Sequence, residues 1–498
     1  MTVIGEQQAA EHIHGICLKT GPPRRVGAEL EWLVRDARDP TMPVQAERIA
    51  AAVAAFGANP GLPSSSSPGV LPSGALLTTE PGGQLELSSL PADSLADCVH
   101  ATAADLAALR AAAADAGLEL AGVGLDPFRP PRRVLHLPRY AAMEAFFDRS
   151  GPWGREMMCA TASVQVCLDA GDDGDSHSGY RWRWRLLHAI GPVLVAAFAN
   201  SPLRRGRPTG WRSSRQEVWA HVDPGRTRPP RSPRLNARRG DERTADPRAA
   251  WAAYALDAQV MCVRDDGSAD WSAPPGLTLR DWVRGATADG AEPDNAEPDN
   301  AEPDGGAPDG RAPDGRAPDG RAPASEAPAG GVPDGGTPDG GTPAGATSKG
   351  GTPDGGLRLR APTTEDLAYH LSTLFPPVRP RGHFELRMID AQPGDGWVVP
   401  LAVTSALLSD ARAGDAAMSA AGRLRAGGAD GDPWLTAARH GPADARLARA
   451  SRDCFEAARD ALVRQQAPAP VLAPVDAFID RFVSKDRCPA DDLLEEAE

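Results

Sequence analysis

The sequence predicts an α+β fold built on a mostly antiparallel sheet. Segments that alternate apolar and polar residues, the pattern of half-buried strands, are scattered among Ala- and Leu-rich stretches at helical spacing. They follow no strand–helix–strand rhythm, so the parallel sheet that such a rhythm builds is not expected. In chain order, residues 26–34 alternate as a strand and residues 85–87 continue that pattern. Residues 93–116 read as a helix, with Asp93 or Ser94 as its cap and Gly117 as its stop. Residues 162–168 alternate as a strand, 184–200 read as a mostly buried helix, and 383–389 alternate again. From 401 to 477 the chain is mainly Ala-rich helix.

The chain has 498 residues, 41% hydrophobic and 24% charged, an ordinary soluble composition. Its net charge of −14 is concentrated in one place. Residues 286–356 carry 14 acids and 4 bases, so the remainder of the chain holds only −4. That near balance, with no basic stripe, excludes an evident nucleic-acid surface. The N-terminus lacks the charged start and apolar run of a signal peptide. The longest apolar stretch, near Ile190 to Ala199, is interrupted by Gly191 and Pro192 and falls short of the ~20 residues of a membrane span. Seven scattered cysteines without a CxxC pair suit reduced thiols in the cytoplasm, and neither a disulfide framework nor a zinc site.

Residues 285–356 repeat a five-residue unit: AEPDN, AEPDN, AEPDG, GAPDG, RAPDG, RAPDG. No aromatic residue stands between Trp282 and Tyr369. Such a segment buries too little apolar surface to offset its ordering entropy and is expected to be disordered. The organisation expected is therefore 1–284 and 357–498 as two parts of one catalytic domain, with 285–356 inserted. An insertion of that length costs about 2 kcal/mol more loop entropy than one of about 10 residues.

Three strings carry the chemistry. In Gly27-Ala28-Glu29-Leu30-Glu31-Trp32, Glu29 and Glu31 are two apart and share a strand face, while Leu30 and Trp32 take the other. In Glu80-Pro81-Gly82-Gly83-Gln84-Leu85-Glu86-Leu87, Glu86 sits between two leucines and Glu80 enters through a Gly-rich turn. In His383-Phe384-Glu385-Leu386-Arg387, Glu385 and Arg387 share a face. Like charges about 4 Å apart repel by about 4 kcal/mol at an effective dielectric near 20. Several carboxylates on one face therefore call for cations, and hard, oxygen-preferring Mg²⁺ suits them best. Removing one such carboxylate should relieve repulsion in the metal-free protein. Each motif alone also reads as a solvated strand face, and the sequence by itself does not bring the three together.

The strings GAELEW, TTEPGGQLELSS, MMCATASVQVCLDAG, AAFANSPL, GWRSSRQEVWAHVDPGRT and STLFPPVRPRGHFELRMIDAQP occur in this order. In that order they resemble glutamate–cysteine ligases, most closely the plant-type branch and its actinobacterial members that supply γ-glutamylcysteine for ergothioneine synthesis. The resemblance implies a glutamine-synthetase-like catalytic fold, a curved antiparallel sheet with ATP at one end of a funnel and glutamate at the other. It implies L-glutamate and L-cysteine as substrates, with ATP and Mg²⁺. The matched metal ligands are Glu29, Glu31, Glu80, Glu86 and Glu385, with Gln165, where a related branch has histidine. The matched Arg387 would face the transferring phosphoryl group, and Arg215 would contact phosphate or a substrate carboxylate. ATP then phosphorylates the γ-carboxylate of glutamate, and the cysteine amine attacks the acyl phosphate. Cys167 stands where this family usually has asparagine, and reads as a small residue of similar size. Asp169 reads as a turn residue, His383 as a packed histidine, and AGVGLD near Gly122 as a turn. Two other readings stay open: a related ligase using another amine, and a catalytically dead scaffold whose repeat binds a partner.

Overall fold

The computed structural model describes residues 5–57, 68–230, 246–265, 267–288, 359–426 and 432–497. Met1–Ala291 and Ala361–Glu498 form one unit, and Glu292–Arg360 a second. The repeat segment lies outside the described residues except at its start. There Gly285 to Ala288 close the helix Leu279–Ala288.

Ten strands are present among the described residues: β1 Val26–Asp36, β2 Gly69–Val70, β3 Leu76–Thr79, β4 Leu85–Ser88, β5 Leu118–Ala121, β6 Ser163–Asp169, β7 Leu203–Arg204, β8 Arg207–Pro208, β9 Val378–Pro380 and β10 His383–Asp390. Eight of them form one sheet in the order β2-β3-β4-β1-β6-β10-β9, with β5 paired to the far end of β1. Every pairing is antiparallel. The α+β expectation with a mainly antiparallel sheet therefore holds. β1 runs two residues past the alternation that announced it, because Arg35 and Asp36 pair with Glu119 and Leu118 of β5.

One face of the sheet is apolar. Leu30, Trp32, Leu85, Leu87, Val164, Val166, Phe384 and Leu386 are all buried there, in one core with Leu186, Leu187, Val403 and Leu407 of the helices Tyr180–Ala197 and Val398–Ser409. Burying one such side chain contributes roughly 1.5–3 kcal/mol. The helix Leu95–Asp115 starts at Ser94, whose side chain accepts the Asp97 N–H, and the chain leaves it through Gly117 at φ +67°. The helix Tyr180–Ala197 begins a turn earlier than its apolar run. Buried Arg183 permits this by donating to the Leu408 carbonyl at 3.0 Å and the Asp169 carbonyl at 3.1 Å. No helix among the described residues is long and apolar enough to cross a membrane.

Because the helix before the repeat closes at Ala288, replacing residues 289–356 by about ten Gly/Ser residues should leave turnover within about twofold. Loss of activity in a variant with a native-like circular dichroism spectrum would show that the segment takes part in catalysis.

Candidate active site

The opposite face of the sheet is polar, and its register brings distant residues together. Glu31 stands directly across from Glu86, and Glu86 across from Thr78. Glu29 pairs with Ser88 on one side and Gln165 on the other. Cys167 faces Glu385, and Glu385 faces Arg379. Direct cross-strand partners share a face, so Glu29, Glu31, Glu86, Gln165 and Glu385 line one surface. Glu80 joins them from the turn after β3, where its N–H donates to the Gln84 carbonyl at 2.8 Å.

That turn explains the string EPGGQ. A Cβ on Gly82 would lie 2.2 Å from the Cys159 carbonyl oxygen, and Gly83 has φ +88°. Gln84 pins the turn by accepting the Gly82 N–H at 2.9 Å and donating to the Thr161 carbonyl at 2.9 Å. Gly122 and Gly124 in AGVGLD serve a similar purpose. A Cβ on Gly122 would strike the Gln392 carbonyl, and one on Gly124 the Asp390 carboxylate.

Like charges across a ladder destabilise it, and the pKa values register this. Burial, then Glu385 and Glu86, push Glu29 up to about 8. Burial, then Glu86 and Glu31, push Glu80 up to about 8. Burial, then Glu31, push Glu86 up to about 7. Glu31 is also raised by burial, against the pull of Arg215 and Arg387. Glu29 and Glu80 therefore tend to keep their protons at neutral pH.

Glu385 behaves in the opposite way. Its side chain is fully buried, which alone would raise its pKa, yet Arg379, Arg387 and Arg381 hold it well below the usual carboxylate range. Arg379 grips it through Nη2 at 2.7 Å and Nε at 3.1 Å. Arg387 Nη1 ion-pairs with it, and Arg381 lies 3.5 Å away. The hairpin turn at Gly382, φ +80°, sets position 379 across from 385. Arg387 Nη1 also donates to Gln165 Oε1 at 2.5 Å, and Gln165 Nε2 to Glu31 at 2.8 Å. Arg215 is buried beneath Arg387 and donates through Nη2 to its carbonyl oxygen at 2.8 Å. Arg379, Arg381 and Asp390 were not singled out from the sequence. The six-residue spacing across a Gly-centred hairpin was the signal available for Arg379.

Among the described residues, no three carboxylate, imidazole or thiol groups are held close enough as they stand to grasp one metal ion. Cys167 is half-buried on the site face, with its thiol raised well above its ordinary range by burial, Glu29 and Glu385. It is a neutral neighbour of the carboxylates. All seven cysteines are free thiols. His383 pairs with Asp169, whose carboxylate accepts the N–H groups of Arg24 and Arg25 at 2.9 and 2.8 Å.

Residues 25–497 match the model of Glutamate-cysteine ligase family 2 (GCS2). The chain belongs to this family. Among its relatives is "Glutamate--cysteine ligase EgtA" of Mycobacterium tuberculosis (strain ATCC 25618 / H37Rv), 34% identical over 489 residues, 97% of this chain and 89% of the relative. The protein of the same name from Mycolicibacterium smegmatis is 35% identical over 490 residues, 98% of this chain and 90% of the relative. "Glutamate--cysteine ligase, chloroplastic" of Arabidopsis thaliana is 33% identical over 153 residues, 30% of this chain and 28% of that relative. Family members thus align along nearly the whole of this chain in the mycobacterial branch, and along a shorter stretch in plants.

Two outcomes follow from the electrostatics of this family member. A carboxylate raised from 4.5 to between about 7 and 8 keeps a proton that the unfolded chain releases. Stability then falls as pH rises through that interval. The melting temperature of the metal-free protein should drop by at least about 3 °C from pH 6 to pH 8.5, and the drop should shrink in Glu86→Gln. A flat or rising profile contradicts the site's electrostatics. Glu385 departs from the expectation that removing any one carboxylate relieves repulsion. Three guanidinium groups surround it, so Glu385→Gln leaves buried cations uncompensated and should destabilise by about 3 kcal/mol in urea titrations. Unchanged stability would show that the arginine cluster does not depend on it.

Proposed function

We propose that the polar face of the sheet is the catalytic surface of an ATP- and Mg²⁺-dependent glutamate–cysteine ligase with a glutamine-synthetase-like catalytic fold. The chain is a glutamate–cysteine ligase of the ergothioneine branch: it joins the γ-carboxylate of L-glutamate to the amine of L-cysteine. The observation that carries the site assignment is the register. It gathers Glu29, Glu31, Glu86, Gln165, Glu385 and Arg387, more than 350 positions apart at the extremes, onto one antiparallel face.

The donor set fits magnesium. It is all oxygen, mutually repelling and only partly compensated by protein cations. Mg²⁺ typically takes one or two carboxylates together with waters and substrate phosphates, and so needs no complete cage of side chains. Glu29, Glu31, Glu80 and Glu86 would hold it, with Gln165 and Glu385 at the edge already engaged by Arg387. When bound, magnesium neutralises phosphate charge and polarises the phosphoryl group.

The chain's own residues supply the rest. Phosphoryl transfer depends on placement and charge stabilisation more than on covalent help from the protein. Arg387 offers a planar guanidinium fork suited to phosphoryl oxygens. Glu385 and Gln165 hold that fork, and Trp219 and Phe375 lie 5.9 and 5.7 Å from it and shield it from water. Arg215 supports it from beneath. The γ-carboxylate oxygen of glutamate attacks the γ-phosphorus of ATP and ADP leaves. The neutral cysteine amine then attacks the acyl carbon, and phosphate departs with the oxygen that came from glutamate.

ADP release measured with glutamate plus each amino acid in turn tests this reading. Little ADP should form with ATP and glutamate alone, and far more once cysteine is added. Glu31→Gln should lower the rate at least about 100-fold, the scale of losing about 3 kcal/mol in the transition state. Near-normal turnover in Glu31→Gln, or equal stimulation by unrelated amines, would refute it.

A further inference from the structure

Between Leu386, opposite Val166, and Ile389, opposite Val164, β10 carries one residue more than β6. Arg387 and Met388 together thus occupy the register position opposite Gln165, which makes a β-bulge. A bulge breaks the ladder locally and re-aims a side chain. The two bulge carbonyls are taken by the helix Ser214–Val222. Arg215 Nη2 donates to the Arg387 carbonyl at 2.8 Å, and Gln216 Nε2 to the Met388 carbonyl at 2.8 Å. Arg215 is fixed in turn. Its backbone N–H donates to Ser201 Oγ at 3.1 Å, and its Nη1 lies 3.8 Å from Asp390. Asp390 accepts from the Asn200 N–H at 2.9 Å, Ser201 Oγ at 2.7 Å and Ser213 Oγ at 2.9 Å. The Arg215 and Asp390 side chains are 2% and 1% exposed. Arg215 Nε and Nη1 donate no hydrogen bond, so Nη2, on the bulge, anchors the guanidinium.

We propose that Asp390 and Arg215 are positioning residues: their buried pair sets the β10 bulge and thereby aims the Arg387 guanidinium across the site. The proposal rests on the reading of Arg387 as the group that meets the transferring phosphoryl. Arg215 acts from behind the site, and Asp390 is the hub on which it is mounted. Buried ion pairs of this kind lose their geometry when one charge is removed, because the other is left uncompensated.

The test is a double-mutant cycle on ADP formation in the full-length protein. Asp390→Asn should lower kcat about 30-fold and leave KM for ATP and for glutamate within about twofold, the pattern of an interaction felt only in the transition state. In an Arg387→Ala background the same substitution should cost less than about twofold, since nothing remains to be aimed. Ser201→Ala removes one donor to Asp390 and one acceptor from Arg215. It should lower kcat about threefold with the same KM pattern, and it carries the test if Asp390→Asn does not fold. Full additivity of either substitution with Arg387→Ala would overturn the proposal. So would a tenfold rise in KM for ATP or glutamate in Arg215→Lys with kcat retained, which places Arg215 on substrate instead. Normal turnover in Arg387→Ala alone would overturn the assignment of Arg387, and the proposal with it.

Discussion

Mutual repulsion among carboxylates governs this structure. Glu31 and Glu86 stand directly across one ladder, Glu29 lies two pairs along on the same face, and Glu80 enters from the adjoining turn. Water alone would screen them, but they sit half-buried on the polar face of a packed sheet, where charge is costly. Burial and repulsion raise the pKa values of Glu29, Glu80 and Glu86, and arginines gather around Glu385. A divalent cation and polyphosphate would replace the protons by a stronger counter-charge. The sheet therefore stores an electrostatic demand that a bound cation and phosphates would meet. The apolar face makes this tolerable: a row of leucines, valines and aromatics packed on two long helices holds the strands in register against that repulsion.

A second centre lies at Asp390. Four separate stretches of the chain meet there. Asn200 and Ser201 come from FANSP, Ser213 and Arg215 from GWRSSR, Gly124 from AGVGLD, and Asp390 itself from MIDAQ. None of them carries a carboxylate toward the polar face. Their unusual wording is explained by close packing around one buried charge. Asn200, for example, donates to the carbonyls of Gly122 and Ala391 at 2.9 and 2.7 Å while its N–H serves Asp390.

What the sequence revealed and what it concealed have separate physical causes. Period-two alternation is a local property, so the shared face of Glu29 and Glu31, and that of Glu385 and Arg387, could be read directly. Which strands are neighbours is a global property set by register, and no string announces it. The pairing of Glu31 with Glu86, and the rank Cys167–Glu385–Arg379, became visible only once the strand order was known. The bulge at Arg387 was hidden for the same reason, since an extra residue exists only relative to a partner strand. Glu385 was read as another repelling carboxylate because Arg379 and Arg381 lie in a different strand and turn. The early start of the helix at Tyr180 was missed because Arg183 looks solvent-facing, although its guanidinium is spent on two buried carbonyls.

The most direct measurement is the proton count on loading the site. Calorimetric titration of a non-hydrolysable ATP analogue at saturating Mg²⁺ and pH 7, in two buffers of different ionisation enthalpy, yields the number of protons released. Metal ligation requires deprotonated carboxylates, so the account predicts net release of at least about one proton by the wild-type protein and less by Glu86→Gln. Tight binding with no proton release, or with uptake, would contradict it.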